Sequence, residues 1–203
     1  MKETGLMFKA PLVRSILDGS KTQTRRVLKW KGLQPGLNLG FSGLGVARAG
    51  SGWVLESNSR TSSEWRCQPT QSPMGAPGDR IYVRETFAPF ERNCFYRADG
   101  DRADLRPWKP AIHMPKALAR IWLDITGVRV ERLQQISEAD AKAEGSTPWP
   151  CDHARRRCEE VGCTGPDHRA GFQHLWESTG GDWAANPWVW VIDFKRDLAQ
   201  GGQ

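Results

Sequence analysis

The stretch that most constrains this chain is Trp188-Val189-Trp190-Val191-Ile192-Asp193-Phe194. Its β-branched and aromatic residues make it the strongest strand in the sequence, and Trp188 and Trp190, two positions apart, share one face of it. Other strand signals come at irregular intervals. The turn Gly78-Asp79 feeds an alternating strand over Arg80-Ile81-Tyr82-Val83-Arg84, and Phe95-Tyr96-Arg97 is a weaker one. Ile121, Leu123 and Ile125 alternate with Trp122 and Asp124, and the pattern resumes at Val128 and Val130, which predicts a bend at Gly127. Helical signals are few and short. One runs from Pro11 to Leu17 and is closed by Gly19. A second is capped by Ser137 with Asp140 and stopped after Glu144 by Gly145. A third carries Phe172, Leu175 and Trp176 between Arg169 and Ser178. There is no internal repeat. This distribution excludes a regular βαβ succession and predicts an α+β fold, a small mixed β-barrel with a few peripheral helices and long loop insertions.

At 203 residues, the chain is read as a single domain over 1–203. Two insertions interrupt it, a glycine-rich one at 31–77 and a Cys/His-containing one at 146–170. Nine of the 21 glycines lie between Gly32 and Gly78, so this stretch reads as loop, apart from a short strand near Trp53 to Leu55. Gly43-Leu44-Gly45 resembles half of a dinucleotide fingerprint but lacks the third glycine and the strand–helix setting. Hydrophobic residues make up 38% and charged residues 26%, which excludes a coiled coil, a collagen and an acidic disordered chain. No run approaches the roughly 18 apolar residues that span a bilayer, and the start reads as no signal peptide. The expectation is a cytoplasmic protein without membrane contact. The net charge of +6 favours phosphate-bearing or otherwise anionic partners.

Two further groups of residues stand out as candidates. Cys151, His153, Cys158 and Cys163 fall within one short span, with His168 just beyond and Cys67 as a distant further ligand. An odd number of cysteines, five, is no disulfide framework. Four thiolate or imidazole donors would suit a structural zinc ion ordering the insertion, although the Cys-x6-Cys-x4-Cys spacing is not that of a standard finger. The alternative is a reduced, partly buried cysteine set. Arg155, Arg156 and Arg157 form a local basic patch. The second group is the polar run Gly19-Ser20-Lys21-Thr22-Gln23-Thr24-Arg25-Arg26, where cations and hydroxyls follow a helix stop. Lys21 there suits an anion or a developing oxyanion, and the carboxylate of Glu144 ends a later helix.

Taken in order, Gly19-x-Lys21-x-x-Thr24-x-Arg26, Gly78-Asp79-Arg80-Ile81-Tyr82-Val83, Ser137-Glu138-x-x-Ala141-x-x-Glu144 and the terminal strand resemble the ASCH domain, a β-barrel family related to the PUA RNA-binding domain. Phage-type members are especially similar through Gly5-Leu6-Met7-Phe8, Val83-Arg84-Glu85-Thr86, Ile112-His113-Met114-Pro115 and Asn186-Pro187-Trp188-Val189-Trp190-Val191. The resemblance leaves out 32–77 and 146–170. It implies a cleft for a nucleobase or nucleotide. Some small members remove the acetyl group of N4-acetylcytidine with a lysine, a threonine and a glutamate that match Lys21, Thr24 and Glu144; others are assigned ribonuclease activity or an RNA-binding role. The expected function is therefore an amidohydrolase acting on an N4-acylated cytidine, with RNA or modified-base binding without turnover, or RNA cleavage, as alternatives. Amide hydrolysis needs a nucleophile, a base and positive charge at the oxyanion. Thr24 is nucleophile or water-positioner, Glu144 takes a proton, and Lys21 stabilises the oxyanion or acts as base. This reaction requires no cofactor, and the expected partner is a nucleoside or single-stranded RNA. Arg25 and Arg26 are candidates for holding a phosphate or a base carbonyl. Glu85, His113 and Trp188 are further candidate substrate contacts, against readings as a surface acid, a structural histidine and a core tryptophan.

Overall fold

The computed structural model describes residues 1–33, 37, 39, 44–57, 67–102, 104, 107–151, 158–161, 163 and 165–198. The fold is α+β. Five strands form its main sheet: β1 (Glu3–Met7), β2 (Gln23–Val27), β5 (Arg80–Arg84), β8 (Trp122–Arg132) and β9 (Trp188–Asp197), in the order β1-β5-β8-β9-β2. Only β1 and β5 run parallel; the remaining pairs are antiparallel. Two hairpins accompany the sheet, β3 (Leu44–Ala49) with β4 (Gly52–Ser57), and β6 (Phe87–Phe90) with β7 (Asn93–Tyr96). The helices are α1 (Ala10–Leu17), α2 (Glu138–Ala143) and α3 (His168–Ser178).

β9 is central because both of its faces are buried. Trp188, Trp190, Ile192 and Phe194 pack into the larger core with Val13 and Ile16 of α1, Ile81, Val83, Leu123 and the hairpin residues Val54 and Leu55. Val189 and Val191, on the opposite face, meet Leu133, Ile136, Ala141 and Phe172 beneath α2 and α3. The long β8 changes register against β9 between Ile125 and Gly127, so the bend read from the sequence is a β-bulge. A Cβ at position 127 would lie 2.8 Å from the Asp193 carboxylate, so a larger residue there would have to displace that side chain from Arg129 and Gln23.

The strand pairings leave β1 and β2 as the two sheet edges and do not close a barrel among the described residues. The sheet nevertheless curls enough for the Arg26 guanidinium on β2 to donate to the Met7 carbonyl at the end of β1, at 3.1 Å. A side chain thus spans the gap that backbone hydrogen bonds would fill in a closed barrel. The glycine-rich insertion holds more order than its composition suggests. Leu44 to Ala49 pairs in full register with Gly52 to Ser57 around the left-handed Gly50, so the strand read at Trp53–Leu55 has a partner.

Candidate active site

The turn after α1 places Lys21. Gly19 adopts a left-handed φ of 81°, and the Lys21 amide donates to the Ser15 carbonyl at 2.8 Å. The next amide, of Thr22, donates to the Ala143 carbonyl at 2.9 Å and so docks the end of α2 on the start of β2. Glu144, the residue after that helix, is thereby carried over Lys21. Gly145 completes the arrangement with a φ of 76°; a Cβ there would lie 3.1 Å from that of Lys21.

Lys21 and Glu144 are 2% and 3% exposed. The Lys21 ammonium donates all three protons: to Glu144 Oε2 at 2.7 Å, to the Glu144 carbonyl at 2.8 Å and to the Gln23 carbonyl at 2.7 Å. Burial pushes the Lys21 pKa below the ordinary lysine value, with the Glu144 charge opposing the shift. The other carboxylate oxygen, Glu144 Oε1, lies 3.3 Å from Arg25 Nη1. Arg25 is fully buried over the Phe172 ring and also faces Glu131 at 3.1 Å and Asp140 at 3.4 Å. Its Nε has no hydrogen-bond partner among the described residues.

Around this pair lies a network that sequence reasoning missed. Gln23 Nε2 donates to Asp140 and Asp193, and Arg129 bridges Glu131, Asp140 and Asp193. Carboxylates from β8, α2 and β9 therefore converge, where the sequence shows no carboxylate cluster. Each is engaged by an arginine or glutamine rather than left to gather a cation. The visible trace in the sequence is Asp193, the one acid interrupting the apolar terminal strand.

Thr24 and Arg26 lie on the opposite face of β2 from Arg25, paired with Ile192 and Trp190. Arg26 Nη1 donates to Thr24 Oγ1 at 2.9 Å, and its guanidinium sits 5.3 Å from the centre of the Phe8 ring. Arg25 and Arg26 both line a cleft of about 540 Å³ over the β2 edge. Phe8, Lys9 and Leu12 form one wall and Trp176 with Thr179–Gly181 the other, while Lys9 Nζ closes the rim on the Ser178 carbonyl at 2.8 Å. Among the described residues, no acid lines this cleft. Lys21, Thr24 and Glu144 do not line it: Thr24 is joined to it through Arg26, and the Lys21–Glu144 pair through Arg25. Trp176, one of the three residues at helical spacing that mark α3 in the sequence, packs against the smaller core and also lines the cleft.

The remaining candidates are placed differently. Glu85 is no surface acid: it is 1% exposed and clasped by Arg120 at 2.9 and 3.1 Å, next to the cleft residue Thr86. Burial raises its pKa and Arg120 opposes the rise. His113 is exposed on a short turn, two residues beyond Ala111 of the cleft. Trp188 is core, edge-on to Trp30 with Arg132 over its ring, and does not line the cleft. His174 stacks on Trp149 at 3.6 Å. In the 146–170 insertion the Sγ atoms of Cys151, Cys158 and Cys163 lie within 4.8 Å of one another. His153 and Arg155 to Arg157 fall outside the described residues. Cys67 is not a fourth ligand, being buried in the main core with its Sγ accepting from the Leu55 amide.

No family model matches the chain, and no curated protein does. Among solved structures, the ASCH domain from Lactobacillus crispatus JV V101 aligns with 96% of this chain and 79% of its own at 15% identity, with a TM-score of 0.38. Among the described residues, no helix is long and apolar enough to cross a membrane.

Proposed function

We propose that this chain is an ASCH-type amidohydrolase that removes an N4-acyl group from a cytidine-type nucleoside, with Lys21, Thr24 and Glu144 as its reacting set. The observation that carries the reading is the buried Lys21–Glu144 pair, 2.7 Å apart, whose carboxylate faces Arg25, one of two arginines that line a cleft without an acid among its described residues. In water such a pair is worth little; out of water it is a preformed site of charge for a reaction that develops an oxyanion. Arg26 joins the cleft to Thr24 and marks the route by which an acyl group reaches the pair. Thr24 orients a water beside the acyl carbonyl. Glu144 Oε1, held by Arg25 only at 3.3 Å, takes a proton as the new C–O bond forms. Lys21 and Arg26 stabilise the oxyanion. The proton passes to the exocyclic nitrogen as the C–N bond breaks, giving a carboxylic acid and cytidine. No metal or cofactor is needed for this sequence.

Mass-spectrometric detection of cytidine from N4-acetylcytidine tests this reading. Turnover by the native protein, lost in Lys21→Ala and in Glu144→Gln while circular dichroism shows both folded, is the expected result. A second reading, single-stranded RNA binding without turnover, draws on a neighbouring groove of about 450 Å³. That groove shares Val27 with the cleft and adds Lys2, Lys29 and Lys31, so cations continue along the β2 edge. Salt-sensitive RNA binding by a protein inert on the nucleoside would favour it, and cleavage of that RNA would point to a ribonuclease instead.

A further inference from the structure

We propose that Cys151, Cys158 and Cys163 supply three thiolates to a structural zinc ion that ties off the 146–170 insertion. The three residues stand seven and five positions apart, yet the fold brings their sulfurs together. Cys163 Sγ lies 3.2 Å from Cys151 Sγ, Cys158 Sγ lies 3.9 Å from it, and all three fall within 4.8 Å of one another. A tetrahedral zinc–thiolate centre with bonds of about 2.3 Å separates its sulfurs by about 3.8 Å, so the observed spacing brackets the one a zinc ion imposes. A disulfide engages two sulfurs and gives the third no reason to converge. The Gly165 amide donates to Cys163 Sγ at 3.3 Å, the kind of N–H contact that orients and tempers a metal-bound thiolate.

The setting gives such an ion a structural task. The insertion is closed by a two-bond neck, with the Trp149 amide on the Asp167 carbonyl at 2.8 Å and the Asp167 amide on the Trp149 carbonyl at 3.1 Å. Neither hydrophobic core takes a residue from between the two neck residues, so the described part of the loop has no apolar core of its own. Asp167 also caps α3 by accepting from the Arg169 amide at 2.7 Å. The far end of that helix supplies Trp176 and Thr179 to the cleft. Zinc at the thiol cluster therefore fixes the neck, and the neck fixes the start of the helix that walls the cleft. A fourth donor completes the tetrahedron, from the chain or from solvent.

Elemental analysis of the purified full chain should give about one zinc per chain. Cys151→Ser and Cys158→Ser should lose it, and Cys94→Ser should keep it. Because a variant can fail by not folding, exchange of the native protein with Co²⁺ serves as a second measurement: a thiolate-to-cobalt charge-transfer band is expected, abolished by excess zinc. Chelation should lower the melting temperature of the native protein and leave that of the Cys158→Ser variant unmoved. A folded protein that stays metal-free after dialysis against Zn²⁺, or a peptide map with Cys151 joined to Cys163 and two hydrogens lost, overturns the proposal.

Discussion

Two buried carboxylates adjoin residues of the cleft, Glu85 next to Thr86 and Glu144 against Arg25, and they are held in different ways. Glu85 is clasped by a single cation, Arg120, whose other edge holds Asp99 at 2.6 and 2.9 Å. Glu144 is shared between two cations, Lys21 on one oxygen and Arg25 on the other. An arginine keeps its proton at any ordinary pH, so the Glu85 clasp is a fixed strut between the start of β6 and the segment before β8. A lysine can give its proton up, and the carboxylate beside it keeps Arg25 when it does. The doubly held acid is the one that can pass through a change of charge without being stranded. That contrast predicts that damage to the two sites will separate stability from chemistry.

The largest effect on stability is expected where the strut is broken. Arg120→Ala leaves a carboxylate that is 1% exposed without a cation among the described residues, and should cost about 3–5 kcal/mol at neutral pH. The sign of its pH dependence follows from the raised pKa of Glu85. Between the unfolded value near 4.5 and the higher folded value, the folded state holds the extra proton, so stability falls as pH rises through that window. Loss of Arg120 raises the folded value further. Urea unfolding over a pH series should show the defect of the variant shrinking towards acid pH; a defect independent of pH would mean that Arg120 acts by packing over the Tyr96 ring alone.

Lys21→Ala should be milder on stability, about 1–3 kcal/mol, because Arg25 stays on Glu144. Its effect on turnover of N4-acetylcytidine should be the larger one, a loss of about 100-fold or more. Equal stability costs for Lys21→Ala and Arg120→Ala, measured by denaturant, would remove the distinction between strut and switch. Arg26→Ala is a finer probe. Arg26 lines the cleft and donates to Thr24, so both KM and kcat should worsen, whereas a pure phosphate-binding role would raise KM alone.

What the sequence made legible follows from the range of each interaction. The terminal strand, the bend at Gly127 and the caps Ser137 and Gly145 are local, and periodicity or single residues reveal them. Lys21 and Glu144 were legible as a pair only through family resemblance, since 123 positions separate them. The acid network around Arg25 and Arg129 was barely legible. Glu131 and Asp140, which face Arg25, and Asp193, which faces Arg129, belong to other elements and come together only when β2, β8, β9 and α2 are assembled. Glu85 can be read as a surface acid in the sequence for the same reason: nothing near it in the chain announces that Arg120, 35 positions on, will clasp it where it is buried. The β3–β4 hairpin was half hidden because its first strand begins in glycine-rich sequence, where alternation is diluted.

The subtlest test concerns the proton on Lys21. Burial holds its pKa below the ordinary 10.5. If its ammonium stabilises the oxyanion, kcat/KM should fall as pH rises through that lowered value, and Lys21→Arg should move the falling limb to higher pH while keeping part of the activity. Stability should move the other way. Between the folded value and 10.5 the unfolded chain binds the extra proton, so the cost of burying the charge, full below that window, is relieved as pH rises through it. Activity lost while unfolding free energy grows, over one pH range and both abolished as a pair by Lys21→Met, is a signature that general alkaline denaturation does not produce. A rate that climbs through the same window would instead make Lys21 the base and leave Glu144 to hold the positive charge that follows.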